Sequence, residues 1–185
     1  MNEAWRLSKH GTPDVKEHGG IIGTSEHWTM WKKVKYIVTY IQDGSSNSVS
    51  IRWDLRLWDE EILGTFHTHP YKNKASAGTV HSEGDIINLL KRDDDEGDIS
   101  IIESGTKRFA LVIEDREKAK KFFETHGKKG IKKMYENEKI KSQKSGKSFP
   151  DSTRDAVRKI ANDPKSGLKF YETTDKAKLN FKEVK

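Results

Sequence analysis

His67 and His69 stand two residues apart at the end of an apolar run, Ile62, Leu63 and Phe66, and this pairing constrains the chain more than any other feature. Alternate side chains of a strand share a face, so both imidazoles turn the same way. Two imidazoles on one face can hold one metal ion. Thirteen positions after His69, the run Ser82-Glu83-Gly84-Asp85 opens a segment in which Ile86, Ile87, Leu89 and Leu90 are spaced as on a helix. Asp85 offers a carboxylate from its first turn. Two neutral imidazoles and one carboxylate leave a fourth position on a divalent ion open for water.

The chain contains no cysteine, which removes disulfides, thiolate metal sites and a thiol nucleophile together. Any metal has to be held by histidine and carboxylate. The 185 residues fit one domain with an extension, and 35% charged against 32% hydrophobic residues indicates that part of the chain packs little. Charge divides unevenly. Residues 1–115 carry 14 Lys and Arg against 19 Asp and Glu, a net of −5, while residues 116–185 carry 21 against 10, a net of +11. A folded domain over residues 1–127 and a basic, partly flexible extension over residues 128–185 are expected. No apolar run approaches the roughly 20 residues that span a bilayer, and the start MNEAWRLSKHG lacks the apolar centre of a signal peptide. A cytoplasmic protein is the expectation, with export by a route that needs no signal peptide left open.

Along the chain, a short helix is predicted around residues 4–9, stopped by Gly11 and Pro13. Glu17-His18-Gly19-Gly20-Ile21-Ile22-Gly23 places an acid ahead of two glycines and a short buried strand. Residues 34–42 are rich in β-branched and aromatic side chains and read as a strand, paired as a hairpin with residues 48–53 across a turn at 43–47. Residues 70–81 read as a loop over the histidines, and residues 83–92 as a helix followed by a solvated acidic loop at 93–96. Residues 99–103 and 109–114 form a second hairpin, turned at Ser104-Gly105-Thr106. An amphipathic helix is expected over 117–125, a flexible linker over 139–152, and a helix over 152–161 capped by Ser152 or Thr153. A terminal hairpin pairs 168–171 with 179–184. Many strands with few helices point to an α+β fold with a mixed, mainly antiparallel sheet flanked by helices.

Taken together, Glu17, His67-Thr68-His69-Pro70 and Ser82-Glu83-Gly84-Asp85 resemble the prokaryotic type of the JAB/MPN (JAMM) zinc metallopeptidases, whose signature is Glu, then H-x-H-P, then S-x-x-D. The resemblance spans roughly the first two-thirds of the chain. It implies an MPN-like sheet in which His67, His69 and Asp85 hold one Zn2+, which lowers the pKa of a bound water toward about 7. It further implies that Glu17 is the general base and that Ser82 donates to the oxyanion, with Glu26 a second candidate for the base. The implied substrates are peptide or isopeptide bonds, with a ubiquitin-like protein joined to lysine among them. Two features depart from the family pattern: the loop from His69 to Ser82 is long, and His81 stands where a proline is common. His81 is therefore a competing metal ligand.

Simpler readings sit beside this one. Ser82 and Asp85 form a plausible capping box, H-x-H pairs occur without metal, and Glu17 could be an ordinary glutamate at a strand start. A metal-free MPN-like scaffold that only binds partners is the alternative function. A phosphoesterase of the PHP type also uses H-x-H, but wants further histidines downstream, where only His126 follows His81. No membrane partner is expected. The lysine-rich tail reads first as solvated, and second as a tether for nucleic acid or an acidic partner.

Overall fold

The computed structural model describes residues 1–25, 28–29, 32–33, 37–38, 41–51, 60–73, 77–173 and 180–185. In chain order these form α1 (Asn2–Leu7), β1 (His18–Ser25), the small antiparallel pair β2 (Trp28–Thr29) and β3 (Lys32–Lys33), β4 (Ile37–Val38), β5 (Gln42–Asp43) and β6 (Glu60–Thr68). There follow α2 (Glu83–Leu90), β7 (Ile99–Ser104), β8 (Lys107–Ile113), α3 (Arg116–Lys144), α4 (Phe149–Ala161), β9 (Leu168–Thr173) and β10 (Lys182–Glu183).

The fold is α+β with a mixed sheet, as the strand-rich sequence predicts. Its strand order is β10-β9-β8-β7-β6-β1-β4, with β5 also on β1. Every pairing in it is antiparallel except β6 with β7. A parallel pair cannot close through a tight hairpin, and the crossover between β6 and β7 contains α2, the helix that carries Asp85. One face of the sheet packs on the helices. Leu89 of α2, Phe109 and Leu111 of β8, Ile131 of α3, Ile160 of α4 and Phe170 of β9 meet there in one core, all at most 1% exposed. Burial of this apolar surface is the main force holding the helices to the sheet.

Several elements follow the sequence closely: α1, α2, the β7–β8 hairpin turned at Gly105, and the β9–β10 pair. The flexible linker does not. Residues 139–144 are the end of α3, which continues well beyond residue 125, and residues 149–152 already belong to α4. Polar contacts order this stretch where apolar ones are missing. The Asp155 carboxylate accepts from the Ser142 hydroxyl, from Lys147 Nζ at 2.6 Å and from Arg158 Nη2 at 2.9 Å, which pins the end of α3 to α4. The cap of α4 is Ser148, whose hydroxyl accepts from Asp151 N, and not Ser152 or Thr153. Residues 128–185 thus supply the later part of α3, all of α4 and two strands to the body of the fold. Helix α3 breaks once, at Gly127, whose φ of +58° lies in the left-handed region where glycine carries no steric penalty.

Two smaller differences lie nearer the histidines. The hairpin expected between 34–42 and 48–53 is not formed among the described residues: β4 and β5 both pair with β1, and residues 48–51 carry no strand. The acidic run is exposed at Asp93, Asp94 and Asp95 but winds into a single 3-10 turn over Asp94–Glu96. Glu26 and residues 52–59 lie outside the described residues.

Candidate metal centre

Strands β1 and β6 pair so that Gly19 faces His67. A Cβ at Gly19 would stand 2.7 Å from the Phe66 carbonyl oxygen and 3.0 Å from His67 Cβ, so only glycine lets β1 approach this closely. Glu17 enters just before β1, and its backbone is fixed on both sides: its N–H donates to Ser45 O at 2.7 Å, and its carbonyl accepts from Gly44 N at 2.8 Å. His69 lies one residue past β6, where its N–H donates to Glu103 O at 2.9 Å and its carbonyl accepts from the Ser104 hydroxyl at 3.1 Å. These bonds hold both ends of the His69 peptide unit.

The side chains converge. His67 Nε2 and His69 Nε2 are 3.0 Å apart, Asp85 Oδ1 is 3.3 Å from the first, and Asp85 Oδ2 is 3.5 Å from the second. Tetrahedral ligands about 2.1 Å from an ion stand about 3.4 Å from one another. The 3.0 Å between the imidazole nitrogens and the 3.3 Å from His67 Nε2 to Asp85 Oδ1 are near that spacing, while the contact to His69 is made by the other carboxylate oxygen. Glu17 closes the group from the β1 side: one ligand atom each from Glu17, His67 and His69 lie within 4.8 Å of one another, so this buried cluster can hold a metal ion.

The electrostatics separate the two carboxyl groups. Burial pushes the Glu17 carboxyl up to about 7, with the His69 charge pulling down and the Asp85 charge pushing up. Burial also acts upward on Asp85, but the charge of His67 and hydrogen bonds from His67 and His69 outweigh it and hold that carboxyl well below the carboxylate range. Asp85 stays ionised while Glu17 titrates near neutrality, a division suited to one ligand and one proton carrier.

Ser82 caps α2. Its hydroxyl accepts from Asp85 N at 3.2 Å and donates to Asp85 Oδ2 at 2.7 Å, and its own N–H donates to the same oxygen at 2.7 Å. The bonds that start the helix also aim the Asp85 carboxylate at the imidazoles. His81 is engaged elsewhere. It is fully buried, with Nε2 3.0 Å from Ser100 O and its ring edge-on to Phe170, and burial pushes its pKa down to about 3.

The five residues Glu17, His67, His69, Ser82 and Asp85 line one cleft of about 750 Å³, with Val49 and Ile51 among its other walls. Sequence reasoning missed the residues behind the cleft. Thr68 points to the opposite face of β6, where its hydroxyl lies 2.7 Å from Ser8 Oγ and accepts from His18 N at 2.9 Å. Ser8 donates to Ala4 O at 2.8 Å, which leaves Thr68 as the donor between the two hydroxyls. Ser8, His18 and Asp43 superficially suggest a hydrolase triad, with His18 Nδ1 3.2 Å from Ser8 Oγ and Nε2 3.2 Å from Asp43 Oδ1. Ser8 and Thr68 are both wholly buried, so this set clamps the strand end and has no access to a substrate. The only signal in the sequence was a threonine flanked by the two histidines.

Thr68→Val tests the clamp. It leaves the His18 N–H without its acceptor and removes one donor from the Ser8 oxygen, at a cost of about 1–3 kcal/mol. Loss of support behind the ligands is expected to weaken metal binding about tenfold. Thr68→Ser keeps both, as metal titration and thermal melting would report.

Comparison with protein-family models, curated proteins and solved structures finds no match to this chain. Among the described residues no helix is long and apolar enough to cross a membrane.

Proposed function

We propose that this chain is a zinc-dependent hydrolase of peptide or isopeptide bonds, of the JAB/MPN type that its motifs resemble. The observation that carries the reading is the convergence of the two imidazole nitrogens, 3.0 Å apart, on the Asp85 carboxylate, whose two oxygens stand 3.3 and 3.5 Å from them, with the raised-pKa Glu17 carboxyl beside them. The chemistry of the donors favours zinc: two imidazoles and a carboxylate with no thiolate suit a borderline ion and leave room for solvent. When bound, such an ion polarises a carbonyl and makes water acidic enough to attack near neutral pH.

The chain's own residues do the rest. Glu17 takes a proton from the attacking water as the carbon–oxygen bond forms, then delivers it to the nitrogen as the carbon–nitrogen bond breaks. One water is consumed, and an acid and an amine are released. Asp85 remains ionised and keeps the two imidazoles oriented. Ser82 can turn its hydroxyl proton from Asp85 Oδ2 toward an oxyanion in the cleft, where it lines the wall. Residues 47–51 and α2 flank the cleft on two sides, which suits an extended peptide segment. A ubiquitin-like protein joined to lysine is the substrate that the family resemblance suggests.

The test is metal content with activity. Purified protein is expected to hold one zinc per chain and to cleave a peptide or isopeptide substrate, both lost in His67→Ala/His69→Ala. A folded wild-type protein that binds no divalent ion under any condition would leave only a scaffold.

A further inference from the structure

The stretch that reads from sequence as a loose basic tail is ordered helix, and that order gives its charge a shape. After the break at Gly127, Lys128, Lys129, Lys132 and Lys133 are all exposed. Positions i, i+1, i+4 and i+5 of a helix form two adjacent rows on one face. Ile131 and Tyr135 of the same helix are buried in the core, so the lysine rows are fixed toward solvent. Lys120 and Lys121, one turn and more before the break, are exposed as well.

Few closed ion pairs form on this face among the described residues, although Glu124 and Glu136 stand four residues from Lys128 and Lys132. The ion pairs of α3 lysines among the described residues use Lys118, Lys132, Lys139 and Lys141; Lys132 reaches Glu83 only at 3.9 Å, and Lys120, Lys121, Lys128, Lys129 and Lys133 have no carboxylate partner there. Lys128 with Lys132, and Lys129 with Lys133, are like-charge pairs at i,i+4, each mildly unfavourable to the helix. An external anion relieves that repulsion.

The chemistry of the face selects among anionic partners. Protein interfaces are anchored by aromatic residues and arginine and are poor in lysine, and these rows contain neither anchor. A membrane-surface helix needs its apolar side free, whereas here that side is spent on the core. Single-stranded nucleic acid is held by aromatic platforms for its bases, and the large exposed hydrophobics among the described residues are Ile140 and Phe149, both outside the lysine rows. What remains is a regular line of phosphates met by mobile point charges, with no planar group to read a base. We propose that the outer face of α3 binds the phosphate backbone of double-stranded nucleic acid without sequence preference. The net of −5 over residues 1–115 against +11 over residues 116–185 orients the approach through this face. The inference does not rest on the hydrolase reading.

The experiment titrates the full chain against a fluorescent mixed-sequence DNA duplex at several salt concentrations. Each phosphate engaged contributes a slope of about −0.9 in log K against log salt. Four to six lysines therefore predict a slope of about −4 to −5. Lys128→Gln/Lys129→Gln/Lys132→Gln/Lys133→Gln should cut the slope by about 3 to 4 and the low-salt affinity at least about tenfold, with melting temperature and zinc content unchanged. Lys9→Gln/Lys16→Gln/Lys72→Gln/Lys159→Gln, of equal net charge, should keep the binding. Absence of duplex binding at low salt overturns the proposal, as does equal loss in the second variant. So does tighter binding to an acidic polypeptide or to anionic vesicles than to the duplex.

Discussion

Glu17→Gln is expected to keep the zinc and lose the turnover, by a hundredfold to ten-thousandfold, the usual worth of a positioned general base. Glutamine matches the shape of glutamate and cannot take the proton. Burial brings Glu17 to about 7 in the metal-free site, and a cation beside it must draw that value down. The acid limb of the pH–rate profile should therefore fall below 7 and vanish in the variant. Metal analysis alongside kinetics separates two roles, because Glu17 lies within ligand reach of both histidines. If zinc leaves together with activity, Glu17 is a ligand and the base must be sought elsewhere. If neither changes, the hydrolytic reading loses its proton carrier.

The second large effect is on stability in acid. His81 is buried with its pKa pushed down to about 3, against about 6.5 in an unfolded chain. Below 6.5 the unfolded state takes up a proton that the folded state refuses. The contribution of His81 is complete above about 6.5 and is lost as pH falls toward 3, for a total of roughly 4–5 kcal/mol. Glu17 acts with the opposite sign. Its folded value near 7 exceeds the unfolded one near 4.5, so the folded state holds the extra proton between those values, and stability gained there falls as pH rises. In metal-free protein the two cancel between about pH 4.5 and 6.5. Urea midpoints should be nearly flat over that window and drop steeply below it, where Asp85, held well under the carboxylate range, adds its own loss. His81→Gln, which can still donate to Ser100 O, should convert the flat window into a rise toward acid. A wild-type midpoint that falls steadily from pH 6.5 would mean that Glu17 is not protonated in the fold.

What the sequence disclosed was local in origin. The two-residue spacing of His67 and His69 specifies a shared strand face, and Ser82 three before Asp85 specifies a helix start, so both halves of the side-chain cluster were legible before any tertiary contact was known. Misreadings came where partners lie far along the chain. Residues 139–152 look structureless because they lack apolar side chains, yet Asp155 orders them from 13 and 8 positions beyond Ser142 and Lys147. The strand pieces at 37–38 and 42–43 find their partner in β1, not in the nearer residues 48–51. His81 looks like a ligand in a histidine-bearing loop and is drawn instead into the core by Phe170 and Ser100. The bond from Thr68 to Ser8 spans 60 positions, and no local pattern announces it.

The packing of α2 on α3 in a single core also limits how the molecule can search. A cleft on a tether sweeps a volume around its anchor. This one, lined by His67, His69 and Asp85, is built onto the same block as the lysine rows, so a scaffold gripped there meets the cleft at a set offset and angle. On the proposed hydrolytic reading, only bonds that fall at that reach come within range, and geometry screens targets before any side chain in the cleft does.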